Sequence, residues 1–493
     1  MSQRVAGILL HPTSLPGAGG LGREAFGFVD FLVNAGCSVW QMLPPGPLGP
    51  GNSPYAARSA FAGEPMLISL EKLADAGLLD PRTDFYPPDT NPHRLHFDEA
   101  RQHREPLLRS ACKEFLSAGG DLHLETFASA NSWLQPYTTF AALRELSREP
   151  WWLWPERYHD PDRIPAGEGT ALGDEIRYQQ FLQWCIDRQW SALHDYARTR
   201  GVAIYGDVPI FVDLDSCDAW ANQEQFKLDS NGRPEVVAGV PPDAFAATGQ
   251  RWGNPHYDWD VMRADEYSWW TRRMERTFSL FDGARVDHFR GFESAWEIPC
   301  DAETAINGRW APGPGRDLFD TLSRKLGRLP IIVEDLGIIT HSVRRLRDEL
   351  GYPGMAVLQF AFGEDDSNPY LPHNQVPNQV VFTGTHDNDT TLGWYRSASE
   401  WERDHVRRYL SVDGENIVSD LIRCAFACIA ETAVIPMQDV LELGTEARMN
   451  IPGYAEGNWG WRFTWDQLEP GRTEWLAQVA RDTGRSREHG GAK

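Results

Sequence analysis

Three acidic stretches, far apart in the chain, carry side chains suited to chemistry: RVDH (285–288), VEDLG (333–337) and THDND (385–389). Each follows a short apolar run. In GARVDHFRGF (283–292), Arg285, Asp287, His288 and Arg290 crowd into a segment that otherwise reads as a strand. Alternation along a strand sends Arg285 and Asp287 to one side and Val286 and His288 to the other. A carboxylate that must stay ionised is helped by an adjacent guanidinium, which suits Asp287 beside Arg285. A carboxyl that must hold a proton near neutral pH needs burial and negative neighbours, which suits Glu334 at the end of PIIVED (330–335). Its neighbour Asp335 should point the other way. Asp387, with His386 beside it, can bind hydroxyls without attacking or protonating. Carboxylates gathered at one mouth have two main uses: holding a hard cation, or glycoside chemistry, in which one attacks an anomeric carbon and another protonates the leaving oxygen. Structural uses compete: Arg285–Asp287 as an ion pair, and Glu334–Asp335 and HDND (386–389) as turn caps.

Something must bring these stretches together. Eight short apolar runs recur: 6–12, 38–44, 202–209, 283–289, 330–335, 354–362, 380–387 and 433–439. Amphipathic segments lie between several of them, at 23–36, 177–201, 343–351 and 416–431. Strand–helix alternation implies a parallel sheet, and eight units imply an α/β fold of the closed (β/α)8 TIM-barrel type. Active sites of such barrels lie at the C-terminal strand ends. Asp207, Asp287, Glu334 with Asp335, Asp387 and Asp439 all fall at such ends. The charge of 283–292 is then at the mouth and not in the core.

A bare barrel needs roughly 250 residues. The surplus falls at 66–170, read as a mostly helical insertion after the second strand, and at 211–262, a Gly/Pro-rich, loop-rich insertion after the third. The chain, 1–493, is expected to be one catalytic barrel domain, with 484–493 a frayed tail.

Composition removes some partners. Lys+Arg 47 against Asp+Glu 70 gives a net charge of −23, a field that repels phosphate backbones and anionic lipid, so neither nucleic acid nor a membrane is an expected partner. The 20 tryptophans suit both a core and a sugar cleft, whose pyranose C–H faces match flat rings. The 7 cysteines are odd in number and include no C-x-x-C, which argues against a disulfide framework or zinc ribbon and for a reducing cytoplasm. No signal peptide or spanning helix is read. GAGGLG (17–22) matches G-x-G-x-x-G, but six residues with Pro12 and Pro16 separate it from the strand end at Leu10, so a dinucleotide site is not expected. A metal-dependent hydrolase would want clustered histidines, whereas His11, His288 and His386 are scattered. No metal and no cofactor is expected. A glucan-binding protein without catalysis would keep the aromatics but has little need for carboxylates on three strands.

Longer segments carry a resemblance: LLHPTSLPG (9–17), WQMLPPGPLG (40–49), NSPYAARSAFAGEP (52–65), YGDVPIFV (205–212), GVPPDAF with TGQRWGNPHYDW (239–259), ARVDHFRGF (284–292), VEDLG (333–337), GTHDNDTTLGW (384–394) and EARMNIPG with GNWGWR (446–462). In this order they resemble the amylomaltases, the 4-α-glucanotransferases or disproportionating enzymes of glycoside hydrolase family 77 in the α-amylase superfamily. The resemblance implies that Asp287 is the nucleophile of a covalent glycosyl-enzyme intermediate, Glu334 the general acid/base and Asp387 the transition-state stabiliser. It implies that Arg285 sits beside the nucleophile, that His288 and His386 bind the sugar, and that Trp252 lies near the acceptor. It places Ser53, Tyr55, Asp243 and Asn450 at glucan-contacting positions, with α-1,4-glucans and maltooligosaccharides as substrates. Pro50, Ala244, Ala247 and Tyr454 stand at places where members differ or carry other residues.

Overall fold

The computed structural model describes residues 4–17, 19–86, 91–164, 170–242 and 246–486. Their strands, in chain order, are β1 (Val5–Leu9), β2 (Val39–Gln41), β3 (Ala203–Val208), β4 (Val236–Val240), β5 (Gln250–Pro255), β6 (Gly283–Val286), β7 (Ser294–Pro299), β8 (Arg309–Pro312), β9 (Ile331–Val333), β10 (Gly354–Val357), β11 (Gln379–Phe382) and β12 (Thr432–Pro436). Eight of them form one parallel sheet in the order β10-β11-β12-β1-β2-β3-β6-β9. The two ends of that order meet where Val333 N–H donates to Pro353 O at 3.0 Å, so the sheet nearly closes into a (β/α)8 TIM barrel. All eight apolar runs of the sequence became its strands, each shorter than the run. Prolines help to stop them: Pro209 follows β3 directly and Pro436 ends β12, and neither has an N–H to extend a ladder.

Helix α1 (Arg23–Asn34) shows why the outer ring forms. Ala25, Phe28, Val29 and Leu32 recur at helical spacing and bury one face, and Gly36 takes a left-handed φ of 71° just beyond the end. Between β2 and β3 stand α2 (Leu70–Asp75), α3 (Phe97–Ser117), α4 (Asp121–Ala130), α5 (Leu134–Ser147) and α6 (Ala171–Thr199). The last begins where Thr170 accepts from Gly173 N–H at 3.1 Å, and buries Phe181, Leu182, Cys185, Ile186 and Leu193 along one stripe.

Residues 211–262 are more than loop. They supply β4 and β5, which join β7 and β8 in an antiparallel sheet of order β5-β4-β7-β8. The sequence hides these strands because QRWGNP and VVAGV lack alternation and because β4 pairs with β7, beyond β6. The tail reading fails at its start. Arg485 is wholly buried, and its guanidinium donates to the carbonyls of Phe426, Val5, Glu431, Cys428 and Ala430 at 2.7–3.2 Å. Five acceptors at the bottom of the barrel hold the chain end; residues 487–493 lie outside the described residues. The glycine run 17–22 is also structural: a Cβ on Gly20, whose φ is 74°, would come within 2.5 Å of Leu67 O. No helix among the described residues is long and apolar enough to cross a membrane.

Candidate active site

Four carboxylates reach the mouth from the ends of β3, β6, β9 and β11. Arg285, on β6, is 4% exposed and organises two of them. One terminal nitrogen donates to both oxygens of Asp207, at 2.7 and 2.9 Å, while the other lies 2.8 Å from Asp287 Oδ1. Burying a guanidinium is costly unless its charge is compensated. Here two carboxylates compensate it and hold its proton well above the usual range, against burial. Asp207 was read only as one acid among several strand ends, yet it anchors this fork. Burial pushes its carboxyl up, against the pull of Arg285.

The strand ends at Val286, and His288 turns into the left-handed region at φ 48°. Strict alternation therefore stops before His288. The turn aims His288 N–H at Glu334 Oε2, at 2.8 Å, while Leu336 N–H meets Oε1 at 2.8 Å. Burial pushes the Glu334 carboxyl up to about 7; Arg285 opposes this and the charge of Asp287 adds to it. Asp335 points away, accepting from Arg347 at 2.6 Å and Met355 N–H at 2.8 Å. His288 is half-buried, its Nε2 is shielded from solvent and has no hydrogen-bond partner among the described residues, and burial pushes the ring down to about 4, so it is neutral. Trp252, from the β4–β5 hairpin and 40% exposed, meets this ring edge-on at 4.8 Å.

On the other side, Tyr55 joins the two halves. Its hydroxyl donates to Asp207 at 2.8 Å, and its ring stacks on His386 at 5.0 Å and 13°. After burial, the charges of Asp207, Asp287 and Asp387 also raise its phenol. Ser53 caps the turn that presents Tyr55, accepting its N–H at 3.2 Å. His386 Nε2 lies 3.4 Å from Asp387 Oδ2, and Asn450 donates to Asp387 Oδ1 at 2.6 Å. Arg448, not foreseen, donates to Asp387 O and Asn450 O at 2.7 Å. Trp459, inside the quoted GNWGWR, was also missed; its ring lies 5.8 Å from Tyr55 and 6.1 Å from His386. Asp439, by contrast, is buried among Thr383, Thr391 Oγ1 and Thr391 N–H at 2.6–2.8 Å and serves packing.

Contacts thus run from Glu334 to the His288 N–H, through the peptide link to Asp287, and on through Arg285, Asp207, Tyr55 and His386 to Asp387 and Asn450. Asp243 lies outside the described residues. Among the described residues no group of three His, Cys, Asp or Glu side chains is arranged to hold a metal ion. The arrangement offers a charge-compensated carboxylate, a half-buried carboxyl pushed up to about 7, and a half-exposed carboxylate, Asp387, held by an amide.

A family model described as 4-alpha-glucanotransferase matches residues 10–468. The chain is 47% identical over 492 residues to a 4-alpha-glucanotransferase of Synechocystis, covering 97% of this chain and 96% of that protein. It is 45% identical over 499 residues to a 4-alpha-glucanotransferase of Thermus thermophilus, covering 98% and 99%. A solved amylomaltase from Streptococcus agalactiae, in complex with acarbose, superposes with a TM-score of 0.94 at 34% identity, covering 98% of this chain and all of that one.

Proposed function

The chain belongs to the 4-alpha-glucanotransferase family and is an enzyme of that class, and from this premise we propose that it moves α-1,4-glucan segments between maltooligosaccharides by a retaining mechanism. Asp287 Oδ attacks the anomeric carbon of the glucose at the cleavage point as the C1–O4 bond breaks. Glu334 gives its proton to the departing O4. The resulting ester is the covalent glycosyl-enzyme, with inverted configuration. An acceptor's 4-hydroxyl then attacks C1, its proton passes to the Glu334 carboxylate, and Asp287 leaves. Two inversions restore the α configuration.

Asp387 binds hydroxyls of the distorted ring and favours the positive charge that grows at C1. Arg285 balances the charge of Asp287 while it is a carboxylate. His288 and His386, both neutral, bind sugar hydroxyls. Tyr55, Ser53 and Asn450 line the approach of the chain, and Asp243 is assigned to glucan binding on the sequence resemblance alone. Trp252 covers the acceptor side, and the hairpin that carries it limits water at the intermediate. Where the acceptor is the free end of the same segment, the product is a cyclic glucan. The seven free cysteines fit work in a reducing cytoplasm.

The run of contacts from Glu334 to Asp387 carries this reading. Purified protein given maltotriose should release glucose and a ladder of longer maltodextrins. Glucose and maltose alone, in hydrolytic proportion, would overturn transfer. Asp287→Ala should lower turnover by about a thousandfold or more with the circular dichroism spectrum unchanged; retained turnover removes Asp287 as nucleophile.

A further inference from the structure

Tyr454 is 70% exposed, and among the described residues its hydroxyl has no hydrogen-bond partner. Its loop is nevertheless firmly held. Asn458 Oδ1 accepts Ile451 N–H at 2.9 Å, and Asn458 Nδ2 donates to Tyr454 O at 2.8 Å. Trp459 N–H closes the loop on Met449 O at 2.7 Å, and Arg94 holds Gly457 O. Both feet stand in the site, Asn450 on Asp387 and Trp459 against Tyr55 and His386. The tip touches the opposite rim: a Cβ on Gly51 would lie 3.4 Å from Ala455 O. A braced loop therefore carries a bare phenol ring on the segment that follows Asn450, with its tip near the segment that precedes Tyr55.

The ring does no packing work. It is rigid and amphipathic, with two side-chain torsions, and its backbone is already held by Asn458, so little entropy remains to be lost when something stacks on it. A polyanion is repelled by the chain's charge of −23, whereas a neutral polymer is not. Four residues span at most ~14 Å, so a sugar on Tyr454 sits a few units away from one held at Asp387.

We propose that Tyr454 is a stacking platform for a glucose ring of an α-1,4-glucan too long to be held by the carboxylate site alone, and that it sets a preference for long glucans. The proposal rests on the glucan-transfer reading above. In the Asp287→Ala background, which does not turn over, calorimetry with a long maltodextrin and with maltotriose separates the two. Adding Tyr454→Ala should weaken maltodextrin binding by about threefold to tenfold and leave maltotriose binding as it was, while Tyr454→Trp keeps the maltodextrin affinity. In the otherwise intact enzyme Tyr454→Ala should raise KM for the maltodextrin without lowering kcat. Unchanged maltodextrin affinity overturns the proposal, and so does an equal loss for both ligands. If this discrimination is present but the intact enzyme makes no ladder from maltotriose, the platform stands and the transfer reading falls.

Discussion

The side-chain amide of Asn450 donates to Asp387 Oδ1 at 2.6 Å, joining residues 63 apart in the sequence. In the proposed mechanism Asn450 acts on the sugar partly through Asp387. Without the amide, a half-exposed carboxylate regains rotamer freedom just where its direction matters. Asn450→Ala should cut kcat by about tenfold, with a smaller change in KM for maltotriose. A pure rise in KM would show that Asn450 only contacts glucan.

Arg285 cannot be replaced by lysine. An ammonium has no fork with which to meet Asp207 and Asp287 together. Arg285→Lys leaves at least one of the two carboxylates without its partner, so kcat/KM should fall by about a hundredfold or more. Activity within tenfold of the parent would show that charge alone suffices.

The pH profile reports Glu334. Burial first, with Asp287 adding and Arg285 opposing, pushes this carboxyl up from 4.5 to about 7. As general acid it must be protonated, so kcat/KM should fall as pH rises through about 7. Between about 4.5 and 7 the folded protein keeps a proton that the unfolded chain has released. The stability this group contributes is therefore fully present below 4.5 and lost as pH rises through 7. Glu334→Gln should remove the basic limb from whatever activity remains. A wild-type profile flat between about pH 6 and 8 would detach Glu334 from that role.

Arg485 should matter to the fold and not to chemistry. Arg485→Ala removes five hydrogen bonds to carbonyls, of which Phe426 O and Cys428 O keep Arg4 and Glu431 O keeps Val5 N–H, and the unfolding free energy should drop by about 2–4 kcal/mol in denaturant titration. Removing residues 487–493 instead gives a baseline with Arg485 in place. Equal stability of the Ala variant and its parent would mean that the tail only rests there.

The barrel was legible because its strands are buried on both faces and so read as apolar runs, from Ile8 to Val434. The acids stood out because each ends such a run. What stayed hidden depends on long-range pairing. The antiparallel sheet shows no alternation in GQRWG, and β4 finds its partner only after β6. His288 evaded the period-2 argument because the strand stops two residues earlier. The roles of Asp207 and Tyr55 were under-read for the same reason: a fork shared between strands is invisible until both strand ends are side by side. Arg485 was misread because a short polar tail has no periodicity to reveal its buried partners.

Around the cylinder each stave is stitched to its neighbours, except along the line between β9 and β10, which the Val333–Pro353 bond and the Asp335 side chain on Met355 N–H hold together. That seam runs beside Glu334. The stave that carries Glu334 therefore has one loosely sewn edge, and thermal breathing of the wall should concentrate there, seen as faster deuterium uptake at Met355 than at Val434.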